Sequence, residues 1–320
     1  MPKSIVVFGG SGFIGTHLLR RLVSEGANSI ISFDLNHPKE RLPGVTYRVV
    51  DVRNLHDVNV EFDVSRIYNL AAIHTTPGHA DHEYFETNVA GALEITSFAA
   101  RHSVPEIIFT SSISVYGPGE SVKTEETPLE PASSYGHSKA LAERIHQNWF
   151  DGDSSRRLTI VRPAVVFGKG EGGNFTRLAR LLQKGFFVYP GRKNTVKACI
   201  YVGDLLDAIE FARSSPERFV LFNACYPDRY TIEDIVTAFR STSFPNAREF
   251  LIPEPAVKAA AGILKPFSAL GLGIHPDRVM KLVRSTDIVP GWLQSKGQAQ
   301  LGRLQSALLR WKDESSGLFT

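Results

Sequence analysis

The chain is predicted to be an α/β protein, a doubly wound parallel sheet followed by a smaller C-terminal lobe. Three observations carry this expectation. Short β-rich runs alternate with helical patterns through the first half, a glycine-rich turn separates the first strand from the first helix, and Asp34 closes the second strand. Strands buried on both faces and separated by helices need crossover connections, which makes them parallel. The right hand of those crossovers restricts the remaining topology.

Residues 5–8 are an unbroken apolar run, read as a buried strand. Residues 13–25 place Phe13, Ile14, Leu18, Leu19 and Leu22 at helical spacing. Further strands are expected at 29–33, 46–50, 66–70, 106–110 and 158–162, and long helices at 81–102 and 134–150. After Pro163 the rhythm changes, with Gly168, Gly170, Gly172 and Gly173 crowded ahead of a helix near 175–185. Helices near 205–213 and 232–240 follow, with a strand at 219–223 expected to return to the main sheet. Short helices near 277–284 and 298–311 end the chain. The expected division is a first domain of residues 1–166 and a substrate-binding lobe of 167–320, closing over the carboxyl edge of the sheet.

Composition narrows the function class. The 320 residues are 42% hydrophobic and 22% charged, as in globular proteins, and unlike disordered or collagen-like chains. Lys+Arg 36 against Asp+Glu 33 leaves +3, too small an excess for general nucleic-acid binding. Cys199 and Cys225 make no disulfide framework and no metal-ligand spacing, which suits a reducing cytoplasm. Gly9-Gly10-Ser11-Gly12 interrupts the apolar N-terminal run too early for a signal peptide. No apolar run approaches the roughly 20 residues of a membrane span. The apolar stretch 256–273, broken by Lys258, Lys265 and Pro266, is read as an amphipathic helix pair that could lie peripherally on a membrane.

Gly9-Gly10-Ser11-Gly12-Phe13-Ile14-Gly15 spaces its glycines as Gly-x-x-Gly-x-x-Gly between strand and helix. A turn without side chains lets a pyrophosphate reach the backbone N–H groups of a helix N-terminus, and Gly15 lets that helix pack close to the strand. Asp34 lies 19 residues beyond Gly15, where a carboxylate accepts hydrogen bonds from ribose hydroxyls and repels a 2′-phosphate. A dinucleotide site selective for NAD over NADP is expected.

Tyr135-Gly136-His137-Ser138-Lys139 opens a helix and sets Tyr135 and Lys139 on one face at i, i+4. A free tyrosine, with a pKa of about 10, is a poor base at neutral pH, and a nearby ammonium would favour the phenolate. Thr110-Ser111-Ser112 ends a strand at the same edge, where a hydroxyl can hold the substrate oxygen. His74, on the loop leading toward the 81–102 helix, is a candidate for lining the substrate. From Asp151 to Ile200 there are ten Lys/Arg and three Asp/Glu, a local excess of +7. Arg177, Arg180, Arg192, Lys193 and Lys197 are candidates to neutralise an anionic substrate, with Arg192 and Lys197 foremost. His74, His79, His82 and Asp81 could be drawn as a metal site, but the chemistry needs none and no metal is expected.

These motifs together resemble the extended short-chain dehydrogenase/reductase family, in its NAD-dependent sugar epimerase/dehydratase branch with a Rossmann fold. The likeness runs through Asp51-Val52, Asn69-Leu70-Ala71-Ala72, Asn88-Val-Ala-Gly91, Ser111-Ser112-Ile-Ser114-Val115-Tyr116-Gly117, Arg162-Pro163-Ala-Val-Val-Phe167-Gly168, Gly173-Asn174 and Tyr201-Val202-Gly203-Asp204-Leu205. It implies Ser112, Tyr135 and Lys139 as the catalytic residues. It implies Asp51 and Val52 on the adenine side, Leu70, Ala71, Ala72 and Pro163 along the cofactor, and Asn174 on the substrate diphosphate. Dehydratases of that branch carry an Asp-Glu pair after the catalytic hydroxyl residue, where this chain has Ile113-Ser114. The segment 162–204 and Arg278-Val279-x-Lys281 look most like bacterial N-acetylhexosamine 4-epimerases, including those acting on polyprenyl-diphosphate-linked sugar.

The resemblance therefore implies a cytoplasmic, homodimeric enzyme that oxidises C4 of a diphosphate-activated hexose with NAD and reduces it again from the other face. A 4-ketoreductase using NADH or NADPH, a steroid-type dehydrogenase and a non-catalytic dinucleotide-sensing module remain alternatives on the same fold.

Overall fold

A computed structural model of the protein describes residues 3–27, 29–75, 78–253, 255–256 and 284–320. The expected helix pair over 256–273, the helix near 277–284 and the Arg278–Lys281 motif lie outside the described residues, apart from their end positions. The chain divides into two compact units. One comprises residues 1–117, 127–163 and 202–222, and the other residues 118–126, 164–201 and 223–320.

The first unit is built on a seven-stranded sheet. Its strands are β1 (Ser4–Phe8), β2 (Ile30–Asp34), β3 (Val45–Val49), β4 (Val64–Asn69), β5 (Glu106–Thr110), β7 (Arg157–Pro163) and β11 (Phe219–Ala224). β6 (Gly119–Lys123) intervenes in the chain but belongs elsewhere. The order is β11-β7-β5-β4-β1-β2-β3, and the pairs from β3 across to β7 are parallel. The order reverses between β1 and β4, the point at which doubly wound sheets bind ligands beyond their carboxyl ends.

The helices of this unit are α1 (Phe13–Ser24), α2 (Asp81–Phe85), α3 (Gly91–Arg101), α4 (Ser134–Asp151) and α6 (Val202–Ser214). Phe8, Phe33 and Phe98 meet at centroid separations of 5.2, 5.7 and 6.3 Å between the sheet and α3. All three are fully buried with Val6, Ile67 and Ile107. Each such side chain contributes roughly 1.5–3 kcal/mol of burial.

The helix expected over 81–102 is continuous in direction but not in winding. Residues Glu86–Ala90 form a π-helical turn between α2 and α3. That extra residue re-aims the side chains around it and brings Asn88 inward, to 4% exposure.

Among its described residues the second unit contains three two-stranded sheets. β8 (Val165–Phe167) pairs with β10 (Cys199–Tyr201), β9 (Phe186–Gly191) with β12 (Arg248–Pro253), and β6 with β13 (Thr286–Ile288). None of these strands is expected from sequence, since most are only three to six residues long and find partners far along the chain. Its helices are α5 (Asn174–Gln183), α7 (Ile232–Thr242), α8 (Gly291–Ser295) and α9 (Arg303–Glu314). α9 is the helix expected near 298–311, begun later because Gly302 takes a left-handed conformation at its N-cap, and α8 is not expected from sequence. Phe167, Phe175, Phe239, Trp311 and Phe319 form its aromatic core, with centroid contacts of 4.4 to 6.2 Å. Thr231 and Asp234 close a reciprocal capping box on α7. Both cysteines are free and buried in this unit, and no described helix is long and apolar enough to cross a membrane.

α4 lies on the sheet with its buried face partly polar. The Asn69 amide donates to His146 Nε2 at 3.1 Å, and His146 Nδ1 lies 2.7 Å from the Ala142 carbonyl. A carbonyl only accepts, so Nδ1 carries the proton and the ring is neutral. The ring stacks on Phe109 at 4.1 Å. Burial pushes its pKa from 6.5 down to about 4. Between those values the unfolded chain binds the extra proton, so folding stability falls as pH drops through the window. The loss is about 3 kcal/mol at most. Urea denaturation of the protein and its His146→Gln variant across that window should show a shallower acid loss in the variant; parallel curves would assign the acid sensitivity elsewhere.

Candidate active site

The turn after β1 is shaped by two glycines. Gly9 has φ +82°, and a Cβ there would sit 2.7 Å from the Ala71 nitrogen on the loop after β4. A Cβ on Gly15 would sit 2.2 Å from the Gly9 carbonyl. Any side chain at either place would push the turn off the sheet or the helix off the turn. α1 then starts with Gly12 at its N-cap, no capping side chain and no acid in its first turn. Its N–H groups and dipole are left facing the loop of Ser11, Gly12, Phe13 and Ile14, a cradle suited to a diphosphate.

Asp34 ends β2 and accepts from the Ser11 N–H at 3.0 Å on one oxygen and the Asn36 N–H at 2.9 Å on the other. Each oxygen retains a lone pair for a ribose hydroxyl. The same carboxylate thus holds the glycine turn and stands ready for the ligand. Beside it, Ser11, Asn36, His37, Arg41 and Tyr47 line a cavity of about 40 Å³. Asp51 is engaged by Arg53 at 2.6 Å, which holds its carboxyl below the ordinary range. Val52 packs under Gly91, where a Cβ would come within 3.1 Å. Leu70, Ala71 and Ala72 follow β4 past the switch point, and Pro163 ends β7. Glycine cradle, ribose carboxylate and strand-end loops therefore share one edge of the sheet and fit a dinucleotide.

Ser112 caps a single 3₁₀ turn, Ile113–Tyr116. Its hydroxyl accepts from the Ser114 N–H at 3.1 Å and the Ser114 hydroxyl at 2.7 Å. Its own proton is then left free to turn toward the neighbouring Tyr135. Ser133 caps α4 by accepting from Gly136 N–H at 3.1 Å, which places Tyr135 in the first turn. Burial pushes Tyr135 above its ordinary pKa, and the nearby Ser112 hydroxyl acts in the opposite direction.

Lys139 is 1% exposed, one turn along, with its ammonium 4.3 Å from the centre of the Phe109 ring. Burial lowers it to about 7, against the attraction of Glu143. The sequence expectation has Lys139 favouring the Tyr135 phenolate. In the structure burial raises Tyr135 and lowers Lys139, and the groups that act against it are Ser112 and Glu143 respectively.

Sequence reasoning passed over the groups that hold these residues. The Asn88 carbonyl oxygen accepts from Ile73 N–H at 3.0 Å, and its amide donates to the Ser138 hydroxyl at 2.9 Å. Ser138 donates in turn to the Tyr135 carbonyl at 2.9 Å. Asn88 thereby ties the loop after β4 to the first turn of α4. Glu143, one turn beyond Lys139, takes a two-pronged bond from Arg162 at 2.9 and 2.6 Å, and Arg162 donates to the Tyr116 hydroxyl at 2.6 Å. The i, i+4, i+7 spacing of Lys139, Glu143 and His146 on a helix was the available signal.

His74 is exposed on the loop after β4, and the surrounding protein and Lys139 disfavour its charged form. His79 pairs with Glu83, His82 with Glu86, and Asp81 accepts from Ser134. Among the described residues no group of acids, histidines or cysteines is arranged to hold a metal. In the second unit, Asn174 is exposed at the start of α5. Arg192 is committed to Glu120 at 2.5 Å and Ser285 at 3.1 Å, and Lys193 to Glu233 and Glu249. Lys197 donates to the Arg284 carbonyl, and burial lowers its pKa to about 8. Much of the basic excess in this segment is therefore spent within the unit.

Asp34 should set the cofactor preference. Replacing it with Ala removes the repulsion of a 2′-phosphate and leaves Arg41 in the adjoining cavity to attract one. Calorimetry should find NAD favoured over NADP in the unmodified protein and the two nearly equal in Asp34→Ala; NADP binding tighter to the unmodified protein would refute the assignment.

Residues 5–225 match the family model described as the NAD dependent epimerase/dehydratase family. The undecaprenyl-diphosphate N-acetylglucosamine 4-epimerase of Escherichia coli O157:H7 is 31% identical over 215 residues, 66% of this chain and 63% of that protein. The UDP-glucose 4-epimerase of Vibrio cholerae is 30% identical over 219 residues, 65% of this chain and 66% of its own. The chain thus matches just under two thirds of the length of these relatives. The solved UDP-Glc/GlcNAc 4-epimerase of Campylobacter jejuni superposes with TM-score 0.74 at 16% identity, over 98% of this chain and 99% of its own, a likeness of fold. With its glycine cradle, ribose carboxylate and Ser112, Tyr135 and Lys139 on one Rossmann sheet, the chain belongs to the NAD dependent epimerase/dehydratase family.

Proposed function

We propose that the protein is an NAD-dependent 4-epimerase of a hexose carried on a diphosphate, either nucleotide-linked or polyprenyl-linked. The observation that carries this reading is the chemistry around Ser112 and Tyr135. Two hydroxyls, Ser112 and Tyr135, neighbour each other with the buried Lys139 one turn along, and among the described residues no carboxylate hydrogen-bonds to either. Where dehydratases of the branch place an acid pair, Ser114 instead donates to Ser112. Without an acid to protonate a leaving hydroxyl, oxidation and reduction at one carbon remain. The named activities of the Escherichia coli and Vibrio cholerae relatives support the same reading.

When bound, the nicotinamide supplies reversible two-electron oxidation of an alcohol carbon. Ser112 orients the sugar hydroxyl, Tyr135 accepts its proton, and Lys139 supplies positive charge that favours the phenolate when the site is filled. Asn88 and the Glu143–Arg162 pair hold the two catalytic side chains of α4 in place. Substrate contacts are assigned to His74, Ser112 and Tyr135, and to Asn174, Arg192 and Lys197 for the diphosphate. Epimerisation needs the sugar to present both faces, so the carrier and not the ring should be the anchor. The protein is further read as a cytoplasmic homodimer in polysaccharide biosynthesis, pairing through α3 and α4. Exposed Leu93 and Leu141 on those helices support that pairing. A polyprenyl carrier would add peripheral membrane contact.

Product analysis tests the proposal. UDP-N-acetylglucosamine or its polyprenyl-diphosphate counterpart should interconvert with the galacto isomer without added reduced cofactor. No interconversion on either carrier, with NADH or NADPH consumed on a 4-keto sugar, would establish a ketoreductase instead.

Removing the proton acceptor should slow turnover about 10²–10⁴-fold. Steady-state rates of Tyr135→Phe, with melting temperature unchanged, check this. Full turnover in that variant would exclude Tyr135 as the base.

A further inference from the structure

The β9–β12 sheet of the second unit buries its two faces unequally. Paired residues of a parallel sheet point the same way. Glu249 with Phe187 and Leu251 with Tyr189 form one face, and Arg248 with Phe186, Phe250 with Val188 and Ile252 with Pro190 the other. The first face is packed around Tyr189 and Glu249 and opens only at its end, where Leu251 is 50% exposed. Tyr189 is fully buried and donates to Glu249, which also receives Lys193 and Arg240. The second is apolar at nearly every position and open, with Phe186 39%, Phe250 52% and Ile252 43% exposed. A sheet face meant for water alternates to polar residues, and this one does not.

Among the described residues, the charge on this face and on the segments leading into its strands is of one sign. Arg248 stands on the open face itself, and Arg177, Arg180 and Lys184 lie exposed on α5 and the turn leading into β9. None of the four forms an ion pair among the described residues. The acid on the strand, Glu249, is turned to the packed face and already taken. Two copies of such a surface would set cation against cation. An apolar strip edged with cations matches an anionic bilayer, with aromatic and aliphatic side chains in the acyl boundary and guanidinium and ammonium groups among the phosphates.

We propose that the open face of the β9–β12 sheet is a membrane-docking surface for anionic phospholipid. It gives the lipid-linked form of the proposed substrate its location and rests on that reading only for its purpose, since docking itself needs no sugar.

Flotation of the purified full chain tests it, with vesicles of phosphatidylcholine alone and of phosphatidylcholine containing phosphatidylglycerol. The protein should float with the anionic vesicles and remain behind with the neutral ones. Arg248→Gln and Lys184→Gln should each lower the partition about fivefold, and Phe250→Ser with Ile252→Ser at least about tenfold. Turnover of a soluble UDP-sugar should be unchanged in all of them. Absence of flotation, or flotation indifferent to these substitutions, overturns the proposal. So does a monomer–oligomer equilibrium in sedimentation that the Phe250/Ile252 variant abolishes, which would assign the face to a second copy. A large fall in melting temperature in that variant, with the two charge variants still floating normally, overturns it in favour of packing within the chain. Lost turnover with flotation intact would count against the epimerase reading alone.

Discussion

A helix laid on a parallel sheet ordinarily buries an apolar stripe, and α4 instead buries a lysine, a glutamate and a histidine. That arrangement constrains the catalytic unit more than any other. A buried ionised group without a partner costs several kcal/mol, so each member needs a complement from another element. Arg162 from β7 answers Glu143, Asn69 from β4 answers His146, and the Phe109 ring from β5 lies under Lys139. Three adjacent strands are thereby keyed to one helix. A register error in any of them would leave a charge or an amide unmatched in the interior. Such a network adds little net stability and strongly penalises every alternative packing.

Catalytic geometry follows from that keying. The candidate ligand-binding residues sit at strand ends and in first helical turns, where the backbone has few bonds of its own to fix it. Asn88 repairs this on one side by joining Ile73 to Ser138, and Asp34 on the other by holding Ser11 and Asn36. Both are polar side chains bonded to main-chain groups, which restrain a loop without filling it.

What sequence made readable here was local. The glycine turn, Asp34 and the Tyr135–Lys139 pair each announce themselves within a few residues, because turn conformation, strand ends and helical spacing are short-range properties. The positions of the buried strands were equally legible from their apolar runs. The small strands of the second unit were not, since β13 joins β6 across more than a hundred and fifty residues and three residues carry too little pattern. The π-turn at Glu86–Ala90 left no periodic trace, because one inserted residue merely shifts the phase of an amphipathic helix. Lys139 shows the deeper limit. Its spacing from Tyr135 is written in sequence, but the burial that lowers it to about 7 comes from packing against distant residues such as Phe109. Arg192 is likewise readable as a cation, but its partner Glu120 lies seventy-two positions earlier, beyond any local pattern.

The two cysteines, which take no part in the chemistry, have a use of their own. Cys199 and Cys225 are both buried, and burial pushes each thiol well above the ordinary range. In the folded chain they are almost wholly protonated and out of reach, so an alkylating reagent meets a thiolate only after the strands around them part. Their labelling rate therefore counts openings of the second unit without any introduced probe. The first unit contains no cysteine and is silent in the same measurement. The molecule thus carries, by accident of composition, a chemical clock that reads the motion of one of its halves.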